Sequence, residues 1–187
     1  MQSDMQMSKT SYSTTAIILH WLTAICVILA IPMAIGMNNL PEGPLQDSLF
    51  NYHKSFGQLI WFIAVLRIVN RWVSGAPAPV STLTSFELLA SKIVHVLLYV
   101  LIFVVPVVGY LGTAAYPAPL TFFAWELPNL VPEAMRGEKT SGFFLETHQF
   151  LGITLAVVVC LHIAAALFHA VVKKDGVMAR MTSTKQG

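Results

Sequence analysis

The chain has 187 residues, 56% of them hydrophobic and only 11% charged, with a net charge of +2 and a mean hydropathy of +0.68. A soluble domain carries about 25% charged residues, so this composition excludes an ordinary soluble globule and fits a membrane protein. The length suits a single unit over 1–187 built from a few spans, and so slight a positive balance points away from a nucleic-acid partner.

Residues 1–12 read as a polar tail. Ser13, Thr14 and Thr15 are good helix N-caps, and the apolar run behind them predicts a first helix over 14–37. That run is long and lacks an A-x-A-like exit, so it reads as a retained span and not as a cleaved signal peptide. His20 lies early in it, beside Trp21, an interfacial residue type, and Pro32 is expected to kink its far end. Residues 38–51 are rich in turn formers and read as a loop.

The second span is predicted over 52–73. It opens with His53 and Lys54 and closes with Arg67, Arg71 and Trp72. The arginines are four residues apart, so they share a face near one membrane surface. A Pro- and Ser-punctuated linker, SGAPAPVSTLTS, follows. The third span, over 86–115, carries Lys92 and His95 early, then Pro106, Gly109 and Gly112. The proline is expected to kink it and the glycines to allow close packing. Residues 116–145 form the longest predicted loop, in which PEAMRGE suits a short surface helix.

The fourth span, over 146–173, has no charged side chain between Glu146 and Lys173, yet it holds His148, His162 and His169. Ionisable groups in such a run are costly and point to function. His148 and His162 are 14 residues apart, which is about 21 Å along a helix axis and within about 40° of one face. One helix therefore offers an imidazole near each membrane surface.

Basic residues set the orientation. With the N-terminus inside, eight residues fall on the inner side (Lys9, Arg67, Arg71, Lys92, Lys173, Lys174, Arg180 and Lys185) and three on the outer (Lys54, Arg136 and Lys139). Both termini are therefore expected in the cytoplasm. Cys26 and Cys160, the only cysteines, lie in apolar runs and read as packing residues. There is no C-x-x-C-H motif, so covalent haem attachment is not indicated.

The histidines then sort by depth. His53 and His148 lie near the outer surface, whereas His20, His95, His162 and His169 lie in the inner half. Four of them share a local pattern: Gly57, Gly152, Ala24 and Ala166 stand four residues after His53, His148, His20 and His162. A small residue one turn from an imidazole leaves room for a flat macrocycle. Two facing imidazoles also make a good axial pair for a low-spin haem iron and leave no open ligand position, which favours electron transfer. The expected pairs are His53 with His148 and His20 with His162. His95 competes at the inner level but has Tyr99 at the small-residue position. Arg67, Arg71, His95 and His169 are candidates for a haem propionate or a quinone, and for the arginines the alternative is snorkelling to headgroups.

These residues together resemble the bacterial cytochromes b561. The resemblance rests on LHW at His20, His53 at the head of the second span and the arginine pair at its end. It extends to H-x-x-x-Y-x-x-x-x-x-x-P from His95 to Pro106, and to His148, His162 and His169 in the last span, with H-x-A-A-A-L-x-H between the last two. The resemblance covers nearly the whole chain. It implies an all-α bundle of four transmembrane helices in the bacterial inner membrane, with two haem b groups and ubiquinone as electron partner. Superoxide oxidation at the outer face with reduction of ubiquinone is the activity it raises. The outer loops are acidic on balance, however, and a positive surface is what steers an anion. Similar cytochromes also serve as membrane relay subunits for a separate periplasmic dehydrogenase, which is the alternative reading. A bundle using its histidines directly on a metal ion is a third.

Overall fold

The computed structural model describes residues 11–117 and 119–182. The expected N-terminal tail up to residue 10, with Lys9, and the far end with Lys185 lie outside the described residues. Ser13 caps α1 (Thr14–Asn39), its side-chain oxygen accepting from the Ala16 N–H at 3.2 Å. The other long helices are α2 (Pro44–Ser74), α3 (Ser85–Ala115) and α4 (Glu138–Phe168), the last continued by a π-helical turn, His169–Lys173. All four are long and apolar enough to cross a membrane.

Two helices begin earlier than hydropathy suggested. α2 starts at Pro44, inside the expected loop, because proline suits the first helical position and Asp47 complements the first-turn dipole. α4 starts at Glu138, behind Gly137. These added turns carry polar residues such as Gln46, Ser48, Lys139 and Thr140, so an apolar-run criterion does not register them. His53 and His148 therefore stand more than two turns inside their helices. At α3 the capping box is complete. Thr84 Oγ1 accepts from the Glu87 N–H, and the Glu87 carboxylate accepts from the Thr84 N–H at 2.9 Å.

Contacts between helices give their directions. His20 of α1 lies beside Arg67 of α2, whereas Ala30 lies beside His53, so α1 and α2 run antiparallel. His95 of α3 lies beside His162 of α4, whereas Val105 lies beside His148, so that pair is antiparallel too. The first residues of α1 and the last of α4 thus share one end of the bundle. There Trp21 Nε1 donates to the Met181 carbonyl at 2.7 Å.

The core is a mid-height apolar layer of Cys26, Val27, Ala30, Ile60, Ile63, Ala64, Leu101, Ile102, Val105, Leu155 and Val158. Outward, Ile25, Phe62, Val100 and Val157 are exposed, as lipid-facing side chains must be. Both cysteines are free, Cys26 in the core and Cys160 on the outside of α4.

The segment between α3 and α4, expected as a loop, contains a short antiparallel hairpin of β1 (Leu120–Phe122) and β2 (Trp125–Leu127). The expected surface helix is a single 3₁₀ turn, Glu133–Met135. Asn129 Nδ2 donates to the Ala114 carbonyl, and Ser141 Oγ, buried, donates to the Gly112 carbonyl at 2.9 Å. These bonds tie the segment down over the end of the bundle that holds His53 and His148.

Candidate functional site

Two levels of histidines flank the apolar layer. At the first, His53 of α2 faces His148 of α4 with ring centres 5.9 Å apart and planes at 82°. Each ring is held by a carbonyl of the preceding helix: His53 Nδ1 lies 3.0 Å from the Ala30 oxygen and His148 Nδ1 lies 2.9 Å from the Val105 oxygen. A carbonyl can only accept, so both Nδ1 atoms carry the proton and both Nε2 lone pairs are free to bind a metal. This is the outer-shell arrangement that fixes a metal-binding imidazole in tautomer and direction.

At the second level, His20 of α1 faces His162 of α4 at 6.2 Å, with planes at 67°. His95 of α3 also meets His162, at 5.4 Å. A metal–imidazole bond of about 2 Å, with about 1.1 Å more to the ring centre, places the centres of two axial imidazoles about 6.2 Å apart. The 5.9 Å and 6.2 Å pairs match that spacing, and the 5.4 Å contact is too short for it. His95 Nδ1 donates to the Ser91 carbonyl of its own helix at 2.6 Å, which leaves its Nε2 free as well, so it is the spacing that separates it from His20.

Space for a flat ligand can be read from the glycines. A Cβ built at Gly57 or Gly152, one turn from His53 and His148, meets nothing within 4 Å, so the faces beside both imidazoles are open. Gly109 has the opposite role. A Cβ there would stand 2.7 Å from His148 Nδ1, so only glycine lets α3 come close enough for the Val105 bond. Among the described residues, no three His, Cys, Asp or Glu side chains converge as a bare metal ion requires. At His53 and His148 a facing pair with open flanks and proton-bearing Nδ1 atoms fits a haem between two axial histidines, and at His20 and His162 the spacing fits one as well.

The predicted accessory residues divide. Arg67 reaches the second level, with Nη2 3.5 Å from His20 Nδ1 and its guanidinium 5.2 Å from the centre of the Tyr99 ring. Arg71, one turn further, joins Arg67, Asn70 and Tyr99 around a narrow cleft of about 30 Å³ at that end. His169 lies apart in the π turn, where its Nδ1 donates to Asp175 at 2.6 Å. Lys173 bridges the same Asp175, at 3.9 Å, to Glu87 of α3, at 2.7 Å. Burial opposes the Asp175 charge. The His169 hydrogen bond, the Val177 N–H and the Lys173 charge outweigh that, and its carboxyl sits below the ordinary 3.8. The carbonyls of Ala30 and Val105, the Arg67–Tyr99 contact and the Asp175 network went unseen in the sequence. Only Gly109 and Tyr99 carried a signal there, as a small residue in α3 and as the tyrosine four residues after His95.

At the opposite end, Glu126, Glu138, Asn129, Arg136 and Tyr116 line a cavity of about 480 Å³. Arg136 is partly committed, its Nε donating to the Val131 carbonyl at 2.9 Å.

Comparison with known proteins agrees with this geometry. The family described as prokaryotic cytochrome b561 matches residues 11–184. Cytochrome b561 homolog 2 of Escherichia coli (strain K12) is 28% identical over 175 residues, covering 91% of this chain and 90% of that protein. Cytochrome b561 homolog 1 of the same organism is 22% identical over 171 residues, covering 91% and 96%. The chain belongs to the prokaryotic cytochrome b561 family, and is therefore a multi-pass membrane electron-transfer protein that binds haem b.

Proposed function

We propose that this chain is a dihaem cytochrome that carries electrons across the bacterial inner membrane, with both termini in the cytoplasm. A donor delivers electrons at the His53–His148 end, and ubiquinone accepts them at the His20–His162 end. The observation that carries this reading is the pair of facing histidine couples at axial spacing, 5.9 Å and 6.2 Å, on either side of one apolar layer. Bound at each couple, haem b supplies a one-electron Fe(III)/Fe(II) centre.

The chain's own residues do the rest. A haem held between the imidazoles of such a pair would have no position left for a small exogenous ligand. The Ala30 and Val105 carbonyls orient the outer pair. The apolar layer keeps water and ions from following the electron. Arg67 and Arg71 offer guanidinium forks to a propionate or to the quinone headgroup, and the excess of basic residues at their end supports a cytoplasmic placement.

Superoxide is the donor raised by the family resemblance. A second reading, a relay subunit for a periplasmic dehydrogenase, is favoured by the cavity at the donor end. Glu126 and Glu138 there outnumber Arg136, and a lining negative on balance repels an anion and suits a cationic protein surface.

A reduced-minus-oxidised spectrum of the purified chain, with haem counted per polypeptide, tests the proposal. Two low-spin b haems are expected, and His148→Ala should remove one of them. One haem in the native chain, or two in the variant, overturns the pairing. Superoxide-driven ubiquinone reduction by the isolated chain supports the oxidase reading, whereas a co-purifying dehydrogenase supports the relay.

A further inference from the structure

The β1–β2 hairpin turns through two residues, Phe123 and Ala124, and Phe123 has φ 52°. Only the first of the two has positive φ, the position that a II′-type turn gives to glycine. A bulky aromatic residue is disfavoured there, so the surroundings must hold it.

The surroundings are α2 on both sides of His53. The Phe123 N–H donates to Ser55 Oγ at 2.7 Å, and its carbonyl accepts from Asn51 Nδ2 at 2.9 Å. Ser55 is fully buried. Thr121 Oγ1 donates to Asn51 Oδ1 at 2.6 Å, and Gln58 Nε2 donates to the Thr121 carbonyl at 3.0 Å. The Phe123 ring packs on Tyr52 at 6.4 Å and Phe56 at 6.0 Å. Every one of these α2 partners lies between two residues before His53 and five after it. The hairpin tip is latched onto the turns that present the outer imidazole: Asn51, Ser55 and Gln58 hold it from the far side of α2, and Phe56, three residues after His53, stands about 60° around the helix from the imidazole.

We propose that this tip is a water-excluding cap on the outer centre and that Phe123 is a positioning residue for it. Its ring closes an aromatic wall with Tyr52 and Phe56 and raises the redox potential of the haem held by His53 and His148. The proposal rests on the dihaem reading above. The physical reason is charge: with two neutral imidazoles, the ferric centre carries one more positive charge than the ferrous. A dry, apolar flank therefore favours the reduced form, and water favours the oxidised form.

The test uses the full-length holoprotein in nanodiscs. Phe123→Gly relaxes the backbone, because glycine accepts the positive φ, while removing the ring. Redox titration should show both haems retained, the outer potential lowered and the inner one unchanged, with Phe123→Tyr restoring the native value. Hydroxyl-radical footprinting should rise several-fold at Phe56 and stay constant at Phe103, whether or not haem is bound. An unchanged outer potential, or equal movement of both, overturns the cap. If the native chain holds no haem at His53–His148, the dihaem reading has failed. The Phe56 footprint then decides the cap alone: a rise supports it and no change overturns it.

Discussion

His148 donates a 2.9 Å hydrogen bond from Nδ1 to the Val105 carbonyl, across an α3–α4 approach that only glycine at position 109 permits. A Cβ at 109 would stand 2.7 Å from Nδ1 and 2.8 Å from Cε1, so Gly109→Ala must expel the ring from its acceptor. The expected outcome is weakened or lost haem at the outer pair, an intact inner haem and a stability loss of about 1–3 kcal/mol from overpacking. Haem content and thermal unfolding measure this. Normal occupancy would remove the Val105 bond from any orienting role.

At the inner level, spacing separates two competitors for one partner. His20 stands 6.2 Å from His162, and His95 only 5.4 Å. His20→Ala should therefore abolish the inner low-spin haem. His95→Ala should keep it and slow quinone reduction instead. The opposite result in pyridine haemochrome counts would assign the iron to His95.

The open face at Gly152 offers a test in which folding is not at issue. Nothing lies within 4 Å of a Cβ there, so a larger side chain starts in open space. Gly152→Leu should insert into the membrane and resist unfolding as the native chain does, yet lose the outer haem. Full haem loading of that variant would show that the space serves no macrocycle.

Asp175 gives a pH dependence with a definite sign. Its folded pKa lies below the ordinary 3.8, so its contribution is complete above about pH 4 and is lost as pH falls through the folded value. Asp175→Asn should be less thermostable than the native chain near neutrality, with the difference shrinking on acidification. A gap that widens toward low pH would contradict the His169–Asp175–Lys173 network as a stabilising clasp.

Much of the site was legible in residue spacing. The 14-residue step from His148 to His162 placed two imidazoles on one face of α4, and the small residues after His53 and His148 marked the faces that prove open. The starts of α2 and α4 were not legible. Their first turns are polar, and their signals, Pro44 and Gly137, also read as loop residues. The hairpin was hidden for a similar reason: its turn holds a phenylalanine where glycine would have announced it.

By itself the sequence determined four apolar helices, their order and the position of each histidine along its helix. Hydropathy, rise and rotation are properties of one helix at a time. Only the tertiary structure decided which imidazole faces which, which carbonyls receive their protons, that Arg67 lies on Tyr99, and that Phe123 locks onto the turns around His53. These are lateral relationships. They arise because apolar helices in lipid find their neighbours through close packing and a few polar contacts, and hydropathy alone does not distinguish one apolar face from another.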